Sequence, residues 1–274
     1  MFVIYIYGCQ FQKSNVETFI LVLAVIDLIG CIFGMPLEMV ELYPAIQSTY
    51  LCKFYKFVAF ICSTMSSFIL LIISIERFKK ICRPLSKQIT PKQRNILVIF
   101  ITVTSVVLVL PPVYYTEAVP FSHESKVDIC GSDFRRLFLW TYALMALIVH
   151  SILLFCMTVL YSFVWETVNQ HFQKNQSKKG AFKHEQINHT NIVLFSISVL
   201  YFVSFTPTLV FLVMYPYCGD SILLQIFRVI LYRTWILNSS LNPIVYGFCN
   251  RIFWKSFVHI FTKSKSNFEM EEKL

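Results

Sequence analysis

The chain has 274 residues, of which 56% are hydrophobic, 16% aromatic and 14% charged. Soluble domains average about 25% charged residues, so this composition, with a mean hydropathy of +0.62, excludes a water-soluble globule. Gly at 7 against Phe at 27 excludes collagen-like and disordered chains, and nine cysteines without scaffold or C-x-x-C spacing exclude a disulfide mesh and a zinc ribbon.

Met1 to Tyr7 is apolar but reaches only about 10 Å as a helix, against a bilayer core of ~30 Å. It lacks the basic leader and cleavage site of a signal peptide. This segment reads as the inner end of a first helix, from either an incomplete gene model, which is the preferred expectation, or a truncated product. Six stretches of spanning length follow, at 17–42, 54–76, 95–115, 137–165, 191–215 and 222–247. Residues 250–262 alternate Phe253, Phe257, Ile260 and Phe261 with Arg251, Lys255 and His259, as a helix on a membrane surface would. The expected organisation is an all-α integral membrane bundle over 1–249, an amphipathic surface helix over 250–262 and a tail over 263–274.

Orientation follows from the basic residues. The loops at 9–16, 77–94 and 166–190, with the tail, hold 17 Lys and Arg, against 7 on the other side. The richer side is expected to be cytoplasmic, which places the C-terminus there. The sequons at Asn175, Asn188 and Asn238 then fall in the cytoplasm or within a span and are discounted.

Polar side chains inside a span are costly and mark functional sites by default. Asp27 lies in the middle of the 17–42 span, Ser63, Ser66 and Ser67 mark the 54–76 span, and Asn238, Ser239, Ser240 and Asn242 crowd the last one before Pro243. Serines and asparagines also serve as interhelical hydrogen-bond glue, but a lone buried carboxylate needs a cation, a donor network or a proton.

The string Leu23-Ala24-Val25-Ile26-Asp27, Cys52 followed by Glu76-Arg77-Phe78, Phe205-Thr206-Pro207, Asn242-Pro243-Ile244-Val245-Tyr246, and Asn250-Arg251 through Phe257 occur in one order and spacing. Together they resemble the rhodopsin-like G-protein-coupled receptors over nearly the whole chain. The resemblance implies a seven-helix receptor bundle, here with a partial first helix and a short eighth helix. It implies a disulfide between Cys52 and Cys130, with free buried cysteine as the plainer reading. It gives Glu76, Arg77 and Phe78 a part in G-protein coupling, together with the 79–94 and 166–190 loops. It makes Tyr201 and Phe205 the packing switch that lets the sixth helix swing outward, with kinks at Pro207 and Pro243, Tyr161 and Tyr246 meeting near Arg77, and Asn242 in the activation motif of the last span; a plain aromatic core is the competing account for the four aromatic residues. Asp27, Ser66, Asn238, Ser239 and Asn242 fall on the family's sodium and water cluster, with Asp27 and Ser66 as Na⁺ ligands; hard oxygen donors suit that ion.

Several positions depart from the family's pattern. The acid at the base of the sixth helix is Ile187, with Glu185 two residues away; the fifth-helix proline is Leu153; no Trp lies in 95–113. Ala59 stands where aminergic receptors carry Asp, and Ile236 where opsins carry Lys, so a monoamine and a Schiff base are both set aside. Charges of both signs at the outer third, with aromatic handles and an apolar floor, suit a short peptide. The expected ligand-binding residues are Glu38, Lys56, Ala59, Phe60, Ser63, Leu209, Leu212, Tyr215, Arg228 and Tyr232, although interfacial snorkelling accounts for the charges equally well.

The expected function is that of a plasma-membrane receptor with an extracellular, peptide-like ligand, a heterotrimeric G protein and, further on, arrestin and a receptor kinase as partners, and no nucleic acid. A non-signalling fragment or a transporter is the alternative, but no half-to-half symmetry supports transport. An enzyme is set aside as well. His184 and His189 stand at i and i+5, which takes the second ring off the face a zincin needs.

Overall fold

The computed structural model describes residues 4, 14–41, 48–120, 128–131, 136–174, 178–217, 226–227, 230–231 and 233–249. The expected surface helix 250–262, the tail, Arg228 and Tyr232 lie outside the described residues. So do the side chains of Cys130, Pro243 and Tyr246, whose backbones are described.

Helix α1 (Asn15–Ile29) starts at a capping box: the Ser14 hydroxyl accepts from the Glu17 amide at 3.4 Å, and the Glu17 carboxylate accepts from the Ser14 amide at 2.8 Å. It runs into a π-helical turn, Gly30–Gly34, and then α2 (Met35–Glu41). Pro36 has no amide to donate to the carbonyl four residues back, and its ring crowds that carbonyl; a widened turn just before it relieves both. The two glycines have a packing reason. A Cβ on Gly34 would lie 2.4 Å from the Trp235 ring, and one on Gly30 would lie 3.3 Å from the Ser239 hydroxyl. They form a groove that takes an indole between neighbouring helices.

Helix α3 (Thr49–Cys82) is the axis of the bundle. It packs against α1, the π turn, α4 (Pro91–Tyr114), α5 (Leu137–Lys174) and α6 (Lys178–Met214). Helix α7 (Trp235–Cys249) closes the bundle between α6 and α1. The deepest side chains are Phe19 and Leu23 of α1, Ile69, Leu70 and Ile73 of α3, Met157 of α5 and Leu194 and Ile197 of α6. Large apolar side chains such as Phe100, Met145, Phe155 and Val203 face outward. Water would penalise that arrangement; lipid does not.

Five described stretches are long and apolar enough to cross a membrane: Asn15–Val40, Thr49–Cys82, Pro91–Tyr114, Leu137–Gln170 and Thr190–Tyr217. They coincide with the first five spans expected from hydropathy, and α7 overlaps the second half of the sixth and runs two residues past its expected end. Two expected inner loops are largely helix. Helix α3 continues to Cys82, α5 to Lys174, and α6 begins at Lys178, so only 83–90 of the expected 77–94 loop is irregular. Lys, Arg, Gln and Glu are good helix formers, so charge marks where the membrane ends and not where the helix ends. The bundle is all-α as expected. It also carries a hairpin that hydropathy did not assign: β1 (Glu117–Pro120) pairs antiparallel with β2 (Asp128–Gly131), in a register that sets Ala118 opposite Cys130. Both strands pack on α3.

Candidate functional site

Three polar clusters lie along α3, one at each end and one inside the bundle. The inner one is built on Asp27. The Asn242 amide donates to its carboxylate at 2.8 Å, and Ser239 lies beside the same group. Asp27, Asn238, Ser239 and Asn242 are all buried. Asp27 Oδ1, Asn238 Oδ1 and Asn242 Oδ1 are buried oxygens without a hydrogen-bond partner. Three acceptors left without donors are a costly arrangement unless water or a cation completes them. Ser66 is buried on α3 but makes no hydrogen bond to Asp27.

At the Arg77 end, Glu76 is buried and accepts from the Asn15 amide at 3.0 Å. Phe78 packs on Phe163 of α5 with ring centroids 6.0 Å apart, and the Arg83 guanidinium lies 5.7 Å from the Phe78 ring. The Tyr161 hydroxyl is buried between Ser198 and Arg77. One turn of α6 further along, Tyr201 stacks against Phe205 at 4.7 Å, and its hydroxyl donates to the Ser63 carbonyl at 3.4 Å. His150, alone among the apolar residues of its span, meets Thr206 at 3.0 Å, beside Pro207, and packs on Phe202 at 4.6 Å. Pro207 thus sits in a run of α6 whose neighbours are aromatic on one side and hydroxyl-bearing on the other. Thr208 and Thr234, 3.0 Å apart, join that run to the start of α7.

The Cys52 end is where the structure departs most from the expected pocket. Glu38 is not presented to solvent. Its side chain is 4% exposed, and one oxygen pairs with Arg233 Nε at 3.0 Å. The other accepts from the Tyr55 hydroxyl and from Trp235 Nε1, the latter at 3.3 Å. Lys56, also buried, lies over the Tyr55 ring at 4.5 Å. A carboxylate, two cations and two aromatic donors therefore join α2, α3 and the approach to α7. Ala59 belongs to the main core with Tyr55 and Trp235. Leu209, Leu212 and Tyr215 pack instead with Leu139, Ala143 and Tyr115, in a separate cluster between α5 and α6. The structure brings Glu38, Lys56 and Ala59 together and keeps those three α6-side residues apart from them. Phe60 and Ser63 continue along α3, half-buried.

Cys52 is disulfide-bonded. Cys31, Cys62, Cys82 and Cys156 are free. The strand carrying Cys130 packs on the helix carrying Cys52.

The sequence reading missed Asn15 and Trp235; Arg233 was counted among the charges of the outer third, without its pairing to Glu38. The Ser14-x-x-Glu17 capping box was a legible signal for the first. For Trp235, the glycines at 30 and 34 are a signal only once the helices are known to face each other.

A family model described as "7 transmembrane receptor (rhodopsin family)" matches residues 1–246. Galanin receptor 2b of Danio rerio is 27% identical over 267 residues, which cover 92% of this chain and 68% of that receptor. Galanin receptor type 1 of Rattus norvegicus is 25% identical over 262 residues, 91% of this chain and 72% of that one. The crystal structure of squid rhodopsin superposes with a TM-score of 0.78 at 18% identity, covering 96% of this chain and 80% of that chain, a likeness of fold.

Proposed function

The chain belongs to the rhodopsin family of seven-transmembrane receptors, and from that premise we propose that it binds a short peptide at its Cys52 end and activates a heterotrimeric G protein at its Arg77 end. The observation that carries the peptide reading is Ala59, which leaves no carboxylate where an amine counter-ion would stand, while the nearby Glu38 is already paired with Arg233. The galanin receptors among its relatives are named for a peptide. Arg77, at the far end of the same helix, supplies the coupling contact. Leu85, fully exposed in the short basic loop beyond it, adds an apolar contact for the G protein. The Arg77 end is cytoplasmic, the C-terminus with it, and the working location is the plasma membrane. Arrestin and a receptor kinase would follow at the same face. Cys130 is the partner we assign to Cys52.

A pool of short peptides applied to membranes holding the chain and a G-protein heterotrimer is expected to raise nucleotide exchange. Pools of monoamines and lysolipids are expected not to. Activation by an amine or lipid pool and by no peptide would contradict the ligand class.

The Asp27 cluster fits a sodium ion: Asp27 supplies the charge, and Asn238, Ser239, Asn242 and Ser66 supply neutral oxygens. Sodium there would stabilise the packed bundle by mass action. The thermal midpoint of the solubilised chain is expected to rise with NaCl relative to choline chloride at equal ionic strength, and Asp27→Asn is expected to remove the difference. Equal midpoints in the two salts for the unaltered chain would contradict it.

A further inference from the structure

The Asn15 side chain makes hydrogen bonds to three different elements, using both N–H donors and its oxygen. Its two N–H bonds go to the Glu76 carboxylate at 3.0 Å and to the Ile89 carbonyl at 2.5 Å. Its oxygen accepts from Arg94 of α4 at 3.5 Å, and Arg94 also donates to Thr18 of α1 at 3.0 Å. The capping box at Ser14 and Glu17 fixes the start of α1, so the amide is held at a defined place in the first turn. Glu76 is 4% exposed and immediately precedes Arg77, while Ile89 is the last residue but one of the loop that joins α3 to α4. That loop is otherwise closed on itself, through Ser86 and Gln88 to the Arg83 carbonyl. One neutral amide therefore ties the end of α3 and the end of the loop to α1.

We propose that Asn15 is a positioning residue that clamps Glu76 and the 83–90 loop to α1 and so holds the Arg77 end of α3 in its uncoupled arrangement. The proposal rests on the reading of Arg77 as the coupling residue. No other side chain of this size replaces it. Asp at 15 would keep the partner of Arg94 but lose both donors and face Glu76 with a like charge. Leu would satisfy none of the three groups. A merely structural anchor would tolerate Asp, because the Arg94 contact becomes an ion pair; a clamp on Glu76 would not.

The test compares the full chain with Asn15→Asp and Asn15→Ala in membranes, reading ligand-free nucleotide exchange on an added heterotrimer and, separately, amide hydrogen exchange over 83–90. Loss of a hydrogen bond to a charged group shifts an equilibrium by about tenfold or more. Ligand-free exchange is accordingly expected to rise about tenfold in N15D and less in N15A, with faster amide exchange over 83–90 in both. Wild-type amide protection in both variants would overturn the clamp, whatever the coupling assay reports. A released loop with no rise in nucleotide exchange would overturn the link from clamp to coupling. Should N15D fail to reach the membrane, the N15A readings decide both points. A chain that drives no exchange under any condition would contradict the receptor reading, and the hydrogen-exchange comparison would still judge the clamp.

Discussion

Replacing Glu38 with Ala is expected to lower the stability of the bundle by about 3 kcal/mol, since removing one member of a buried ion pair strands the other. Three groups lose their acceptor at once: the Arg233 guanidinium, the Tyr55 hydroxyl and the Trp235 indole. Arg233 is 23% exposed and recovers some hydration, which holds the estimate at the lower end of the usual range. The Trp235 ring has less freedom to adjust, because it lies in the groove of Gly30 and Gly34. Glu38→Gln keeps the shape of the side chain and one acceptor oxygen, but gives up the charge and turns an NH2 donor toward either Arg233 or the Tyr55 and Trp235 donors. The expected order of thermal midpoints is wild type above E38Q above E38A. An E38A midpoint equal to wild type would mean that the cluster carries no packing role, and Glu38 would return to the list of side chains waiting for a ligand.

That residue shows where sequence reading stopped. Glu38 was legible as an unusual acid near the mouth of a span, because its cost in lipid is a matter of composition. Its partners were not, since Tyr55 is 17 and Trp235 is 197 positions away, and hydropathy carries no information on which helix faces meet. The spans themselves were legible because a run of about 20 apolar residues has few other uses. Their ends were less so: the same Lys and Arg that signal the membrane boundary are content in a helix, and α3 and α5 run on past it. The π turn before Pro36 and the 117–131 hairpin depend on local geometry that a hydropathy window averages away.

The inner cluster was the best-read part of the site. An isolated Asp in a span needs a cation, a donor network or a proton, and the family resemblance grouped it with the asparagines of the last span; Asn242 donates to Asp27. The α6 side of the pocket was read least well. Leu209 and Leu212 were placed on the floor and Tyr215 at the mouth as an aromatic handle, and all three pack instead in the cluster between α5 and α6. Hydrophobicity names a buried residue without naming which neighbour buries it.

The central claim is that Arg77 transmits to a G protein. A guanidinium offers five N–H donors in a fixed fork and keeps its charge in any setting, which suits it to the carbonyl-rich end of a partner's helix. It stands near the end of the most enclosed of the five described spans, next to a buried acid held by Asn15 and close to the buried Tyr161 hydroxyl. Truncating a charged side chain in an interface costs about 2–5 kcal/mol, so coupling without it is expected to fall by roughly thirtyfold or more. The measurement is nucleotide exchange on a purified heterotrimer by the reconstituted chain and by Arg77→Ala at matched membrane levels, each read against receptor-free background. Exchange above background for the wild-type chain, reduced at least about thirtyfold in R77A, is the predicted result. Equal exchange by the two would remove Arg77 from the mechanism.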